Sequence, residues 1–275
     1  MIGDPSGKSS ERNLLDDDAL QGNIDAQKKQ LEGLLDFGAG ENSAVMVNNY
    51  DWTSPLSFID FMRTIGKRFR VSEMLAKDSV KSRINSDAGI SFTEFSYQII
   101  QANDFAHLAK EHNVTLQIGG SDQWGNMTAG IDLARKLHKK QVYVMTMPLL
   151  TDSNGKKFGK SEGGETMYLD ADMTSPYKMY QFLLNSGDAS VDGYLKYLTF
   201  LSLEEIAKLQ KQTEETPHLR SAQKALAKEV VTLVHGAEGL EAAERATSFF
   251  FGGKIEKVND KEIASIFEDV PAVTL

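Results

Sequence analysis

Residues 114–126 read Val-Thr-Leu-Gln-Ile-Gly-Gly-Ser-Asp-Gln-Trp-Gly-Asn, and this stretch decides the fold. Its first five residues predict a strand, two glycines end that strand, and a helix is predicted from about residue 123 to 137. A second strand is predicted over 141–146, where β-branched and apolar residues predominate. Strands that alternate with helices indicate an α/β fold with a parallel sheet.

The turn after the first strand is a candidate ligand site. Ligands of open α/β folds bind at the carboxyl ends of the strands, where Gly119, Gly120 and Asp122 stand in this chain. The glycines allow a ligand to approach the backbone, and Asp122 is placed to accept hydrogen bonds from ribose hydroxyls. A structural alternative is that Asp122 only caps the following helix.

A second candidate lies on the helix predicted over 92–112. Tyr97, Gln101 and Asp104 recur at helical spacing and share one face, while the opposite face is apolar. The core-facing positions are Phe95, Ile99, Ala102 and Ala106. Asp104 could bind a hydroxyl group, and Tyr97 with Gln101 could bind an ammonium group. An ordinary exposed polar face has the same spacing.

A glycine-rich, lysine-rich loop over 155–164 is the third candidate. Lys157 and Lys160 can place two cations on one polyanion, with Ser161 as a further donor, and so stabilise a leaving pyrophosphate. This loop and the stretch 3–9 each have three residues between the first glycine and Gly-Lys-Ser. A P-loop has four residues there, so a P-loop nucleotidase is not expected. A solvated turn remains the alternative.

The composition excludes several classes of protein. Of the 275 residues 41% are hydrophobic and 25% charged, which is typical of a globular chain. The formal charge of −9 argues against a basic DNA-binding protein, and the lack of cysteine excludes disulfides and thiol nucleophiles. No apolar run approaches the roughly 20 residues of a membrane span, and the start does not resemble a signal peptide. We expect a cytoplasmic or mitochondrial-matrix protein that binds neither membrane nor DNA.

The predicted strands are confined to the first part of the chain. We expect a domain boundary near residue 170, with an α/β domain over 1–170 and an all-helical domain over 171–275. In the second part, helices are predicted to begin at Ser175-Pro176, at a capping box of Ser202 and Glu205, and at Pro217.

Two further elements are predicted before the polar stripe. Residues 44–47 read Ala-Val-Met-Val and predict a short buried strand. Ser54-Pro55 predicts the start of a helix that runs to Ile65.

Five motifs together resemble the bacterial-type tyrosyl-tRNA synthetases in order and spacing. They are Gly3-Asp4-Pro5-Ser6-Gly7-Lys8, Asn48-Asn49-Tyr50-Asp51-Trp52, the stretch from Ile90 to Tyr97, the stretch from Gly119 to Asn126, and Lys157-Phe158-Gly159-Lys160-Ser161. The resemblance runs through almost the whole chain, to Asp269-Val270-Pro271. Five motifs in register are far more specific than any one of them.

The resemblance implies a class I synthetase that activates L-tyrosine with ATP and Mg²⁺ and transfers it to tRNA(Tyr). The implied fold is a partial Rossmann-like nucleotide-binding domain with a parallel sheet, followed by an all-helical domain on the anticodon side. It also implies a homodimer. Residues 49–52 and 58–62 could supply apolar dimer contacts or could belong to the core. Four lysines of the helical part could meet tRNA phosphates or form a solvated surface: Lys208, Lys211, Lys224 and Lys228.

The resemblance also implies roles for individual residues. The tyrosine ligands would be Asp104 at the phenol, Tyr97, Gln101 and Asp4 at the ammonium group, Gln123 at the carboxylate, and Gln117 in support. The ATP ligands would be Asp122 at the ribose together with Gly119, Gly120, Lys157, Lys160 and Ser161. The cations that close on pyrophosphate, and so carry the catalysis, would be Lys8, Arg12, Lys157 and Lys160. The substrate carboxylate itself would attack the α-phosphate.

The sequence departs from the family pattern at both ends. None of the five histidines forms the His-x-Gly-His signature of this family. We therefore expect that the chain begins inside a domain, lacks the C-terminal RNA-binding domain, and has weak or no activity by itself.

Two alternative functions remain open at this stage. One is a related class I enzyme for tryptophan, against which the polar triad argues. The other is a non-catalytic RNA-binding protein built on the same scaffold, such as an intron-splicing cofactor, against which the lysine loop argues.

Overall fold

The computed structural model describes residues 15–85, 89–151, 155, 158–159 and 166–250. The chain divides into two compact units. Among the described residues, unit 1 comprises 15–28 and Val45–Leu149, and unit 2 comprises Lys29–Ala44 and the residues from Leu150 onward. The predicted domain boundary near residue 170 stays a prediction.

Unit 1 contains two strands and most of the short helices. Its elements are α1 (Asp17–Leu31, which ends in unit 2), α2 (Tyr50–Thr53), α3 (Phe58–Thr64), α4 (Val71–Leu75), α5 (Asp78–Ile84), α6 (Phe92–Glu111), β1 (Leu116–Gly120), α7 (Trp124–His138) and β2 (Tyr143–Met147). In the described residues β1 and β2 form a parallel pair in which Leu116 lies opposite Tyr143 and Gly120 opposite Met147. The predicted strand–helix–strand unit and the α/β class are confirmed.

The core of unit 1 lies between α6 and α7. Ala102 and Ala106 on α6 are fully buried, as the helical spacing predicts. The two helices approach closely at Gly130, where a Cβ atom would stand 2.8 Å from Cδ1 of Phe105. α6 begins at Ser91, whose hydroxyl accepts a hydrogen bond from the Glu94 amide. The capped start and the tight crossing therefore fix which side chains α6 presents to α7.

Two predictions about the segment before α6 are wrong. Residues 44–47 form no strand, and Val45 is exposed. The prediction failed because a run of four apolar residues is not enough to identify a strand. The helix predicted from Ser54 instead begins at Phe58, with Ser57 as its cap, whose hydroxyl accepts from the Asp60 amide.

Unit 2 is helical around one apolar core, as predicted for this part of the chain. Its main helices are α8 (Pro176–Leu184), α9 (Asp188–Leu198), α10 (Leu203–Glu215) and α11 (Ser221–Phe250). The cap at Ser175 and the capping box of Ser202 and Glu205 are confirmed. Pro217 begins only a 3₁₀ turn, so α11 starts later than predicted.

α11 has a kink at Gly236. Gly236 has a φ of 73°, which is outside the helical region and favours glycine. The helix resumes beyond it and is described to Phe250. A last helix, predicted near Asn259 and Glu262, lies outside the described residues.

Candidate functional site

Asp104 on α6 is held by two donors from α2 and its cap. Its carboxylate oxygens accept hydrogen bonds from Nδ2 of Asn49 and Nε1 of Trp52, each at 2.9 Å. Burial raises the pKa of Asp104, while the Asn49 and Trp52 hydrogen bonds and the nearby His107 lower it. The carboxylate is therefore an oriented acceptor in a partly desolvated position.

The Asp104 carboxylate lines a cavity of about 560 Å³. The wall combines Asn49 and Trp52 with apolar side chains from α1 and α6: Leu20, Ile24, Ile100 and Leu108. A mainly apolar wall with a few oriented polar groups is typical of small-molecule sites. This cavity suits a ligand with an apolar body and a polar tip.

Tyr97 and Gln101 point toward the start of α7. The buried Tyr97 hydroxyl donates to Oδ1 of Asn126 at 3.0 Å. Gln101 Nε2 donates to Oε1 of Gln123 at 3.0 Å, and Asn126 Nδ2 donates to the same oxygen at 3.2 Å. Four polar side chains thus form one connected network between the two helices.

The predicted stripe of Tyr97, Gln101 and Asp104 is therefore divided between two settings. Asp104 lies on the cavity wall, whereas Tyr97 and Gln101 are engaged with α7. Their joint role as ligands of one molecule stays a prediction. The bland alternative, an ordinary exposed face, does not hold for Tyr97, which is 3% exposed.

The carboxyl end of β1 has room for backbone but not for side chains. A Cβ atom at Gly120 would stand 2.6 Å from Oδ1 of Asp122, and one at Gly119 would stand 3.1 Å from Sδ of Met127. The strand continues through both glycines, two residues beyond the predicted end. A side chain at Gly120 would therefore require the Asp122 and Leu149 side chains to shift.

Asp122 is exposed and lies in the 3₁₀ turn between β1 and α7. The N-cap of α7 is Gln123, which makes no side-chain cap hydrogen bond, so Asp122 is not the α7 cap. Gln117, on β1, has a buried Oε1 atom that finds no hydrogen-bond partner among the described residues. Such an atom remains available to a polar group.

Several predicted site residues lie outside the described residues: Asp4, Lys8, Arg12, Lys157, Lys160 and Ser161. Their roles stay predictions. Within the lysine-rich loop, Phe158 is described, and its ring packs against Phe182 and Tyr194 in unit 2. The Phe158 amide also donates to the Leu150 carbonyl, so one point of this loop is anchored to the helical core.

Asn49, Trp52 and Asn126 are functional candidates to which sequence reasoning gave no ligand-binding role. The sequence placed Asn49 and Trp52 among possible dimer contacts. The signal that could have found them is chemical, since Asn and Trp are both N–H donors and an isolated carboxylate needs donors. Asn126 follows Gln123 by three residues, which places both on one face of α7.

Two kinds of feature are absent from the described part of the chain. No cluster of three or more His, Asp or Glu side chains there could hold a metal ion. In the same residues, none of the helices is both long and apolar enough to span a membrane.

Comparison with known proteins shows extensive similarity. Residues 1–252 match the family described as tRNA synthetases class I (W and Y). The tyrosine–tRNA ligase of Streptococcus suis (strain 98HAH33) is 55% identical over 271 residues, which are 98% of this chain and 64% of the relative. The chain thus spans just under two thirds of the length of this relative.

Solved structures give the same picture. A C-terminally truncated mitochondrial tyrosyl-tRNA synthetase of Aspergillus nidulans superposes with a TM-score of 0.74 at 31% identity, over 91% of this chain and 73% of that one. A truncated mitochondrial tyrosyl-tRNA synthetase of Coccidioides posadasii gives 0.67 at 32% identity, over 88% and 70%.

Proposed function

Because the chain belongs to the class I tRNA synthetases, and within them to the tyrosyl-tRNA synthetase family, we propose that it serves as a tyrosine–tRNA ligase. The reaction would join L-tyrosine to ATP as tyrosyl-adenylate with release of pyrophosphate, and then transfer tyrosyl to tRNA(Tyr). The Streptococcus relative carries the same ligase name. The observation that carries the proposal is the Asp104 carboxylate at the cavity wall, held by two N–H donors.

Asp104 would recognise the substrate phenol. An oriented carboxylate accepts the phenol hydrogen, and phenylalanine would leave this buried acceptor without that partner. Tyrosyl-tRNA synthetases are themselves the standard example of this effect, with discrimination of about 10⁵ against phenylalanine. The apolar walls of the cavity would take the aromatic ring.

The network between α6 and α7 would bind the polar end of tyrosine. Tyr97, Gln101 and Asp4 would meet the ammonium group and Gln123 the carboxylate, with Gln117 in support. Gln101 and Gln123 pair with each other. Substrate would replace this pairing with its own charged groups, so part of the binding free energy would be spent on breaking it.

The end of β1 would hold the nucleotide. Gly119 and Gly120 lack side chains where a ligand would approach, and the exposed Asp122 carboxylate fits two ribose hydroxyls. Mg²⁺ would arrive with the ATP phosphates. The protein would supply orientation, while Lys8, Arg12, Lys157 and Lys160 would stabilise the pyrophosphate charge.

A homodimer is supported by an apolar surface on unit 1. The side chains of Phe58 and Phe92 are 67% and 69% exposed. Three further apolar residues between them in the chain are also exposed: Ile59, Met62 and Val71. Within 58–62 these exposures disfavour the core alternative, except at Phe61, which packs against the core. Apolar surface of this kind is typical of subunit interfaces.

We place the enzyme in the cytoplasm or the mitochondrial matrix, as its bacterial and mitochondrial relatives suggest.

The tRNA would contact the helical unit. Lys208, Lys211, Lys224 and Lys228 are all exposed there. Lysines on one unit can neutralise phosphates of a nucleic acid even when the whole chain is acidic. A solvated surface would show no change in tRNA affinity when all four are replaced.

The central test is Asp104→Ala. We expect weaker tyrosine binding and a reduced preference for tyrosine over phenylalanine, measured by equilibrium dialysis of the 275-residue chain with each amino acid. Asp132→Ala, which removes a carboxylate on α7 whose side chain is 40% exposed, is the matched control and should leave both values unchanged. An unaltered preference in Asp104→Ala, or tighter binding of tryptophan than of tyrosine by the unsubstituted chain, would refute the proposal.

A second test separates binding from chemistry. Lys160→Ala should slow adenylate formation in single-turnover experiments with little change in tyrosine affinity, because this cation would act on the phosphates. The measurement compares the variant with the unsubstituted chain under the same conditions. A normal single-turnover rate would exclude the role of Lys160.

A further inference from the structure

His107 lies one helical turn after Asp104 and stacks on the tryptophan that holds Asp104. The imidazole of His107 and the indole of Trp52 have ring centroids 4.4 Å apart and an interplanar angle of 14°. The same indole donates its Nε1–H to Oδ1 of Asp104 at 2.9 Å. The imidazole thus contacts the indole, and the indole in turn contacts the carboxylate.

The indole depends on packing for its orientation. Trp52 lies in α2, a helix of four residues that has no side-chain cap hydrogen bond. A helix this short is only marginally stable by itself. A stacked ring on one face restricts rotation of the indole and keeps its N–H in the direction of the carboxylate.

The surroundings of His107 favour the neutral imidazole. Burial lowers its pKa, Glu111 and Asp104 raise it, and His112 and Lys110 lower it. His138, on α7, lines the same small cavity as His107. The uncharged ring can therefore stack on the indole.

We propose that His107 is a positioning residue, whose ring holds the Trp52 N–H on Asp104 and so keeps the carboxylate oriented for a phenol. This role rests on the proposed function for its substrate, tyrosine. The part that concerns Trp52 and Asp104 is independent of any ligand. His107 itself would touch neither the amino acid nor ATP.

The first experiment needs no substrate. The chain has two tryptophans, so its ¹H–¹⁵N spectrum holds two indole signals, and Trp124→Phe assigns the one from Trp52. His107→Ala should speed the hydrogen exchange of the Trp52 indole by about three- to tenfold, the size expected for loss of one stacked pair. His107→Phe keeps a ring and should restore slow exchange. His112→Ala, which removes an exposed neighbouring imidazole, is the matched control and should change nothing.

The second experiment measures the consequence for recognition. His107→Ala should weaken tyrosine binding by about three- to tenfold and phenylalanine binding much less, while His107→Phe stays close to the unsubstituted chain. Unchanged indole exchange in His107→Ala, or no recovery in a folded His107→Phe, would overturn the proposal. If the unsubstituted chain binds no tyrosine, the proposed function fails, and the exchange data alone then decide whether His107 holds Trp52 on Asp104.

Discussion

The two units bury different kinds of side chain. Five of the seven buried polar or charged side chains in the described residues lie in unit 1: Arg83, Glu94, Gln98, Asn103 and Asn126. Half of the eight buried residues in its main apolar cluster are alanines. The corresponding cluster of unit 2 has 13 buried residues, among them four leucines and two tyrosines.

The different buried side chains indicate that unit 2 contributes a large apolar core and that unit 1 contributes oriented polar groups. Unit 2 gains its stability from a large apolar core, which is not directional and tolerates variation in detail. Unit 1 uses buried positions for polar groups, each of which must find a partner. Polar groups held in this way can recognise a substrate, at a cost in stability.

The largest expected effect would break the polar interior of unit 1. Glu94→Gln should lower the free energy of unfolding by about 3–5 kcal/mol, because the buried Arg83 guanidinium would lose the carboxylate that compensates its charge. The two side chains are 7% and 5% exposed and lie 2.7 Å apart. Lys196→Ala removes an exposed ion pair with Asp192 in unit 2 and should cost about 1 kcal/mol or less. Urea unfolding followed by circular dichroism measures both, and equal losses would contradict the comparison.

The apolar core of unit 2 should respond next. Leu226, on α11, is fully buried, and Leu226→Ala is expected to cost about 2–5 kcal/mol through lost burial and a residual cavity. Leu233→Ala on the same helix removes a side chain that is 44% exposed and should cost far less. Thermal unfolding by calorimetry distinguishes the two. Similar destabilisation by both would mean that this core is not the source of stability in unit 2.

Replacement of a helical glycine by alanine should change stability in opposite directions in the two units. Gly130→Ala places a methyl group against the Phe105 ring and should destabilise unit 1 by about 1–3 kcal/mol. Gly193→Ala in α9 meets no atom within 4 Å and should stabilise unit 2 by up to about 1 kcal/mol through helix propensity. Denaturation midpoints of the two variants provide the test, and changes of the same sign would be inconsistent with the tight crossing of α6 and α7.

The smallest expected effect concerns acid stability in unit 2. Burial lowers the pKa of His235, Asp170 raises it, and the Nε2 atom is buried with no hydrogen-bond partner in the described residues. The unfolded chain therefore binds the proton more readily, so stability is present at neutral pH and falls as the pH drops from about 7 to 5. His235→Leu should reduce this fall in the thermal midpoint, whereas His218→Leu, at an exposed site, should not. A pH dependence that His235→Leu leaves unchanged would exclude this group as a source.

Local sequence signals located the main elements well. The strand–glycine–helix pattern at 114–126 and the caps at Ser175 and Ser202 correctly indicated their elements, because capping and periodicity depend on near neighbours in the chain. The failure at 44–47 has the opposite cause, since a strand needs a partner that four apolar residues cannot specify.

Site prediction divided in the same way. Helical spacing placed Tyr97, Gln101 and Asp104 on one helix, but it could not tell that Tyr97 is buried against Asn126. Spacing also could not show that Asn49 and Trp52 reach Asp104, because more than fifty positions separate these donors from the carboxylate in the chain.

The α/β class, the order of the main helices, the carboxylate on α6 and the family resemblance could all be read from the sequence. All of these depend on residue types at short spacing. The folded structure was needed to show which donors hold that carboxylate, that Gln123 and not Asp122 is the N-cap of α7, and that His107 stacks on Trp52. Hydrogen bonds and ring contacts between distant residues depend on where packing brings the helices, and helical packing is set by the whole core rather than by any one segment.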